Sequence, residues 1–206
     1  MNNKIITIVN YGLGNIRAFS NIFHRLNIPY KIVSTPEDLS ESKKLILPGV
    51  GTFDWAMNKL NNSGLRETLD NLVLKNNIPV LGVCVGMQIM AKRSEEGSLS
   101  GLGWIDAEVK SLNRTKSKQM PLPHMGWNEV RTSISNPLFE NIETSRFYFL
   151  HSYCIIPKIA TTTLAVSNYG NDFTSAIKFK NVFGTQFHPE KSHKSGINLL
   201  HNFADL

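Results

Sequence analysis

Cys84 sits in Val80-Leu81-Gly82-Val83-Cys84-Val85-Gly86-Met87-Gln88, with a glycine two positions away on either side. Gly-x-Cys-x-Gly is the thiol counterpart of the nucleophile elbow, where a buried strand turns sharply into a helix and lifts one side chain out of the sheet. Such a turn needs residues without a Cβ so that neighbouring segments can close on it. A helix beginning at Val85 directs its positive end at the sulfur, which favours thiolate over thiol. The Val85 N–H has no partner inside that helix and can face a developing oxyanion. A cysteine between strand and helix also suits plain burial, so the motif alone leaves packing open.

Nucleophilic chemistry needs a base, and Gln186-Phe187-His188-Pro189-Glu190 offers one. His188 leaves a β-rich run at 182–187, at the kind of strand end where open α/β sheets place their sites. Glu190 follows a proline that fixes the turn, and can orient the imidazole and stabilise its charged form. A histidine–glutamate pair by itself is equally an ordinary surface turn. Together with the elbow it completes a thiol–imidazole–carboxylate set, which is acyl-transfer chemistry.

The elements that must bring these groups together are legible as alternation. Residues 4–9 (KIITIV) and 79–83 (PVLGV) read as strands buried on both faces. Shorter strands are expected over 31–33 and 44–47. Between them fall helical spacings over 15–26, over 58–76 with a break at Gly64, and over 85–91. This order implies a parallel sheet with right-handed crossovers. Beyond Gly97 the texture becomes β-rich, at 108–112, 147–150, 154–156, 162–168, 175–179 and 182–187, and a last helix covers 196–203. The expected architecture is one α/β domain over residues 1–206, with a more antiparallel second half.

Composition bounds the rest. The 206 residues are 41% hydrophobic and 18% charged, which excludes disordered and coiled-coil classes. No apolar run is long enough to span a bilayer, and the first apolar stretch is too short for a signal peptide, so a cytoplasmic protein without a membrane partner is expected. Two cysteines do not make a disulfide scaffold. A net charge of +6 is too small to be a nucleic-acid footprint, and no nucleic-acid partner is expected. Lys110, Arg114, Lys116 and Lys118 suit a solvated hairpin, or contact with something anionic.

The remaining histidines carry less chemistry. His24 and His201 fall on helices and His193 in a lysine-flanked loop, while His124 and His151 look more like positioning residues than bases. No spacing suits a metal, and neither metal nor cofactor is expected. Gly12 and Gly14 hint at a dinucleotide fingerprint, but Arg17 occupies the third glycine's place. Met87 and Met90 read as core, and Cys154 as inert packing.

Seven ordered segments, YGLGN, LPGVGTFDWAM, GVCVGMQ, SEEGS, PHMGWN, FYFLHSY and FGTQFHPEKS, together resemble the class I glutamine amidotransferase family over nearly the whole chain. The resemblance implies a flavodoxin-like sheet with helices on both faces. It implies that Cys84 attacks the side-chain amide of L-glutamine, that His188 acts as base and then acid, and that Glu190 orients it. Val85 stands where this family often has leucine. One oxyanion donor would be the Val85 N–H and the other would come from Val50, in a Pro48-Gly49-Val50-Gly51 segment whose glycines leave that peptide free to reorient. Gly51, Gln88, Ser152 and Tyr153 would bind glutamine. Trp127 could be core or partner interface, and Asn15 could face the same partner or cap a helix. Ammonia would pass to a cyclase subunit in a heterodimer serving histidine biosynthesis. GLGWIDAEVKSL and the C-terminal segment are similar to a subgroup thought to serve a sugar amidotransferase in surface-polysaccharide synthesis instead. A docking scaffold without activity, and a self-sufficient hydrolase of γ-glutamyl peptides, are the competing classes.

Overall fold

Ile6–Val9, Leu45–Gly49 and Val80–Cys84 are buried at every position, as continuous apolar runs must be when helices cover both faces of a sheet. A computed structural model describes residues 5–113, 120–132 and 135–206. Arg114, Lys116 and Lys118 lie outside the described residues, as does Lys4.

The strands are β1 (Ile6–Val9), β2 (Tyr30–Val33), β3 (Leu45–Gly49), β4 (Val80–Cys84), β5 (Arg93–Ser94), β6 (Ala107–Ser111), β7 (His124–Glu129), β8 (Arg131–Thr132), β9 (Arg146–His151), β10 (Tyr153–Pro157), β11 (Thr163–Tyr169), β12 (Asn171–Phe179) and β13 (Val182–Thr185). The helices are α1 (Ile16–Arg25), α2 (Pro36–Ser40), α3 (Phe53–Asn62), α4 (Arg66–Asp70), α5 (Val85–Gln88) and α6 (His193–Asp205).

Eight strands form one sheet in the order β2-β1-β3-β4-β13-β12-β11-β8. Neighbours from β2 to β13 pair in parallel, and those from β13 to β8 pair antiparallel. The antiparallel second half is therefore an extension of the same sheet. Two smaller sheets, β10-β6-β5 and β7-β9, stand beside it. Among the described residues no helix is long and apolar enough to cross a membrane.

Register places the chemistry. Gly49 of β3 lies level with Cys84 of β4, and Thr185 of β13 lies level with Val83. The carboxyl ends of three adjacent strands thus deliver the Pro48–Gly51 turn, the elbow and the Gln186–Glu190 segment to one place. No local signal links residues 84 and 188; β-pairing does.

Several elements differ from their sequence pattern. The expected helix over 85–91 is a single turn, because the chain turns away after Gln88 and packs Gly101 against the Ala91 carbonyl. One turn carries little macrodipole, so the sulfur's electrostatics rest more on His188 than on α5. The helical stretch expected over 58–76 begins instead at Phe53, where a carboxylate from Glu96 accepts the Phe53 N–H at 2.8 Å. It then breaks at Gly64 (φ +75°), re-forms as α4 and ends in a π-helical turn, Asn71–Lys75. β7 was not legible as a strand: His-Met-Gly-Trp-Asn-Glu has little β propensity, and its alternation of covered positions (His124 buried, Gly126 and Asn128 half-buried) with exposed ones shows only once β9 pairs with it. Gly12 and Gly14 serve the backbone, both at φ near +90°, with Gly14 pressed so closely on Pro48 that a Cβ would lie 2.5 Å from the proline ring.

At Gly86 a Cβ would sit 2.0 Å from the Leu47 carbonyl oxygen. Backbone cannot yield as a flexible side chain can, so Gly86→Ala is expected to destabilise the fold by at least about 1–3 kcal/mol, measured by urea unfolding.

Candidate active site

Cys84 takes φ +55° and ψ −115°, a conformation that a residue with a Cβ adopts at a cost of about 1–3 kcal/mol. β4 and α5 hold it there from both sides, and Gly82 and Gly86 leave the space that the turn requires. The sulfur lies 3.8 Å from the Leu150 carbonyl oxygen and 3.8 Å from Gln186 Nε2. His188 hydrogen-bonds the Cys84 side chain on one edge. On the other, its Nδ1 lies 2.8 Å from Glu190 Oε1, with the side chains only 2% and 1% exposed.

Burial works against charge on His188. The hydrogen bonds to Cys84 and Glu190, and the negative charge on each, outweigh it and push the imidazole up to about 10. The ring is therefore an imidazolium at neutral pH, next to the sulfur. Glu190 Oε2 is buried and has no hydrogen-bond partner among the described residues, so His188 is the group that compensates the carboxylate. The His188 segment is itself tied down. Its backbone N–H donates to the Tyr148 carbonyl at 2.8 Å, and its carbonyl accepts from Ser192 Oγ at 2.6 Å.

The two groups open onto a cavity of about 310 Å³. Val50, Gly51, Val85, Gln88, Ser152 and Tyr153 all line it, together with Cys84 and His188. In the Pro48–Gly51 turn the Tyr11 hydroxyl donates to the Pro48 carbonyl at 2.6 Å, while Val50 beyond it is exposed and Gly51 has φ +96°. Burial, and then the negative charge of Cys84, raise the Tyr11 hydroxyl. Gln88 donates through Nε2 to the Tyr153 carbonyl (2.9 Å) and to Gln186 Oε1 (3.0 Å), which leaves its own Oε1 as an acceptor.

Asn15 and Trp127 lie outside the cavity wall. Asn15 is exposed at the start of α1, and although it occupies the capping position its side chain makes no capping hydrogen bond. Trp127 is 41% exposed and stacks on His193 with ring centroids 5.0 Å apart, so it is not core. Met87, Met90 and Cys154 are fully buried.

The cavity also recruits residues that motif reading did not assign. Glu96, Lys191, Leu150 and His151 line it. Burial raises the Glu96 carboxyl, partly offset by the Phe53 N–H. Its place in the acidic Ser94-Glu95-Glu96-Gly97 turn was the available signal, but nothing local distinguished it from its neighbour Glu95. A carboxylate at the wall suits an α-ammonium group, and the cavity's thiol, imidazolium and backbone donors suit attack on an amide carbon.

The family model described as "Glutamine amidotransferase class-I" matches residues 7–205. The chain is 50% identical over 204 residues to "Imidazole glycerol phosphate synthase subunit HisH" of Leptospira borgpetersenii, covering 98% of this chain and all of that protein. It is 49% identical over 204 residues, with the same coverage, to the protein of that name from Bdellovibrio bacteriovorus. A solved glutamine amidotransferase from Thermotoga maritima shares the fold, with a TM-score of 0.64 at 20% identity, covering 98% of this chain and 82% of the other.

Proposed function

The chain belongs to the class-I glutamine amidotransferase family, and we propose that, as one domain over residues 1–206, it hydrolyses L-glutamine at Cys84 and passes the ammonia to a cyclase partner. The observation that carries this reading is the buried Cys84–His188–Glu190 contact.

In this reading the proton already resides on His188 before the reaction starts. The sulfur attacks the carboxamide carbon, and the carbonyl electrons move onto oxygen, which accepts from the Val85 N–H and from the Val50 peptide. Collapse breaks the C–N bond as His188 gives its proton to the departing nitrogen, leaving a glutamyl thioester. Water then loses a proton to the neutral imidazole and attacks the thioester. The second oxyanion expels the sulfur, and the new carboxyl group loses its proton to solvent. Glu190 holds the imidazole in one orientation throughout. Gly51, Gln88, Ser152 and Tyr153 bind the substrate, and Glu96 takes its α-ammonium.

The shared name of the relatives, a subunit of imidazole glycerol phosphate synthase, supports the cyclase of histidine biosynthesis as the ammonia acceptor, rather than a sugar amidotransferase. Exposed Met125, Trp127 and Leu150 on β7 and β9, with Asn15 on its own loop, support docking in a heterodimer. A cytoplasmic setting goes with this reading, supported by a nucleophilic thiol at Cys84 that has to stay reduced to act.

The exposure of Val50 and the left-handed Gly51 beside it support extending the reading to gating by reorientation of the Val50 peptide. One oxyanion donor is worth about 10²–10³ in rate. Glutamate release by the chain alone is expected to be slower by that factor than release with the cyclase and its acceptor substrate. Equal rates would overturn the gating, and no glutamate under either condition would overturn the glutaminase assignment.

A further inference from the structure

His124 and His151 face each other across β7 and β9 in register, almost fully buried, with His124 Nδ1 2.9 Å from His151 Nε2. Only one proton can lie between two ring nitrogens, and the surroundings decide whose it is. His151 Nδ1 lies 2.8 Å from the Tyr153 carbonyl, which only accepts, so His151 carries its proton on Nδ1 and its Nε2 is bare. His124 therefore donates from Nδ1, and its Nε2 accepts from Asn128 Nδ2 at 3.2 Å. The Asn128 amide is fixed in turn, since its Nδ2 donates to the Asn168 carbonyl at 2.8 Å and its Oδ1 accepts the Glu129 N–H at 2.8 Å.

Every donor in the series Asn128→His124→His151→Tyr153 thus points the same way. Stacking fixes the ring planes too. His124 lies between Tyr169 and Phe149, at 4.2 and 4.8 Å, each tilted by 26°. An added proton would face a donor at Asn128 and break the series. Burial accordingly holds His124 down to about 4 and His151 down to about 3.

The terminal acceptor of this relay, the Tyr153 carbonyl, is the same oxygen that receives Gln88 Nε2. We infer that His124 and His151 are positioning residues for the substrate cleft: a neutral, one-way imidazole pair that sets the Tyr153 carbonyl and through it the Gln88 amide against the incoming glutamine. The inference rests on the glutaminase reading. It assigns these two histidines no part in bond making, so they act on substrate affinity rather than on the turnover step.

The test is alkylation of Cys84 in the full chain by 6-diazo-5-oxonorleucine, a glutamine-shaped electrophile, compared with iodoacetamide, which needs only the thiol. His151→Phe keeps a planar ring and loses both nitrogens. His151→Asn keeps an N–H near the Nδ1 position. His124→Phe removes the upstream donor and stands further from the cleft, so it carries the same test if His151→Phe does not fold. For either Phe variant, the concentration of diazo reagent giving half-maximal inactivation should rise about tenfold, the scale of one lost hydrogen bond to substrate. The limiting inactivation rate and the iodoacetamide rate should stay within about threefold of wild type. His151→Asn should recover most of the loss. Unchanged half-saturation in both Phe variants, or no recovery with asparagine, would overturn the relay. Failure of the wild-type chain to react saturably with the diazo reagent would overturn the glutaminase reading instead.

Discussion

Cys84→Ala should abolish glutamine hydrolysis, with a loss of at least about 10⁴ in turnover, because no neighbouring group can replace the sulfur as nucleophile. Cys154, the second cysteine, is buried and unavailable for that role. The same position makes a second measurement informative. Alanine retains the Cβ and hence the backbone strain at φ +55°, whereas Cys84→Gly relieves it. The glycine variant should be equally inactive yet about 1 kcal/mol more stable than the alanine variant by urea unfolding. That pairing separates chemistry from folding: the strained turn exists to raise the thiol, and removing its purpose releases the strain. Glutamine hydrolysis at a normal rate by Cys84→Ala would refute the assignment.

His188→Gln should cost about 10²–10⁴ in turnover through loss of the general acid. It should also destabilise the fold by about 3–5 kcal/mol, because Glu190 would remain buried without its compensating charge. Replacing both residues, as His188→Leu with Glu190→Leu, should recover much of that stability and none of the activity. The wild-type fold should also show the pair in its pH dependence. A histidine that titrates near 6.5 when unfolded and at about 10 when folded holds its proton more tightly in the native state. Its contribution is complete below about pH 6.5 and is lost as pH rises through about 10. Melting temperature should therefore fall between pH 7 and 10 in wild type, and fall less steeply in the double leucine variant.

The elbow and the histidine–glutamate turn could be recognised in the sequence because each is local: glycines at fixed offsets, a proline that sets a turn, a β-rich run ending in a polar group. The central strands were equally clear, since burial on both faces leaves no polar interruption in β1 or β4. What was not legible depends on tertiary pairing. β7 gains its identity only from β9, and the length of α5 is decided by where Gly101 packs, not by residues 85–91 themselves. Glu96 reaches the cavity because it caps α3 from a distant turn, and no periodicity records that. Trp127 shows the same limit from the other side, since composition could not say whether its ring would be covered; His193 stacks on it and Tyr148 meets it edge-on, and it stays 41% exposed.

The cavity walls belong to different mechanical bodies. Cys84, Val85 and the Pro48–Gly51 turn hang from the middle of the eight-stranded sheet, flanked by paired strands on both sides. His151 ends a strand of a two-stranded ribbon, and Tyr153 begins a strand of another small sheet, with Ser152 as the seam between them. Narrow ribbons loosen at a lower free energy than the centre of a wide sheet. In the proposed reaction, recognition of the amino acid and severing of its amide bond would thus be mounted on parts of unequal stiffness: the jaw can yield while the blade keeps its edge.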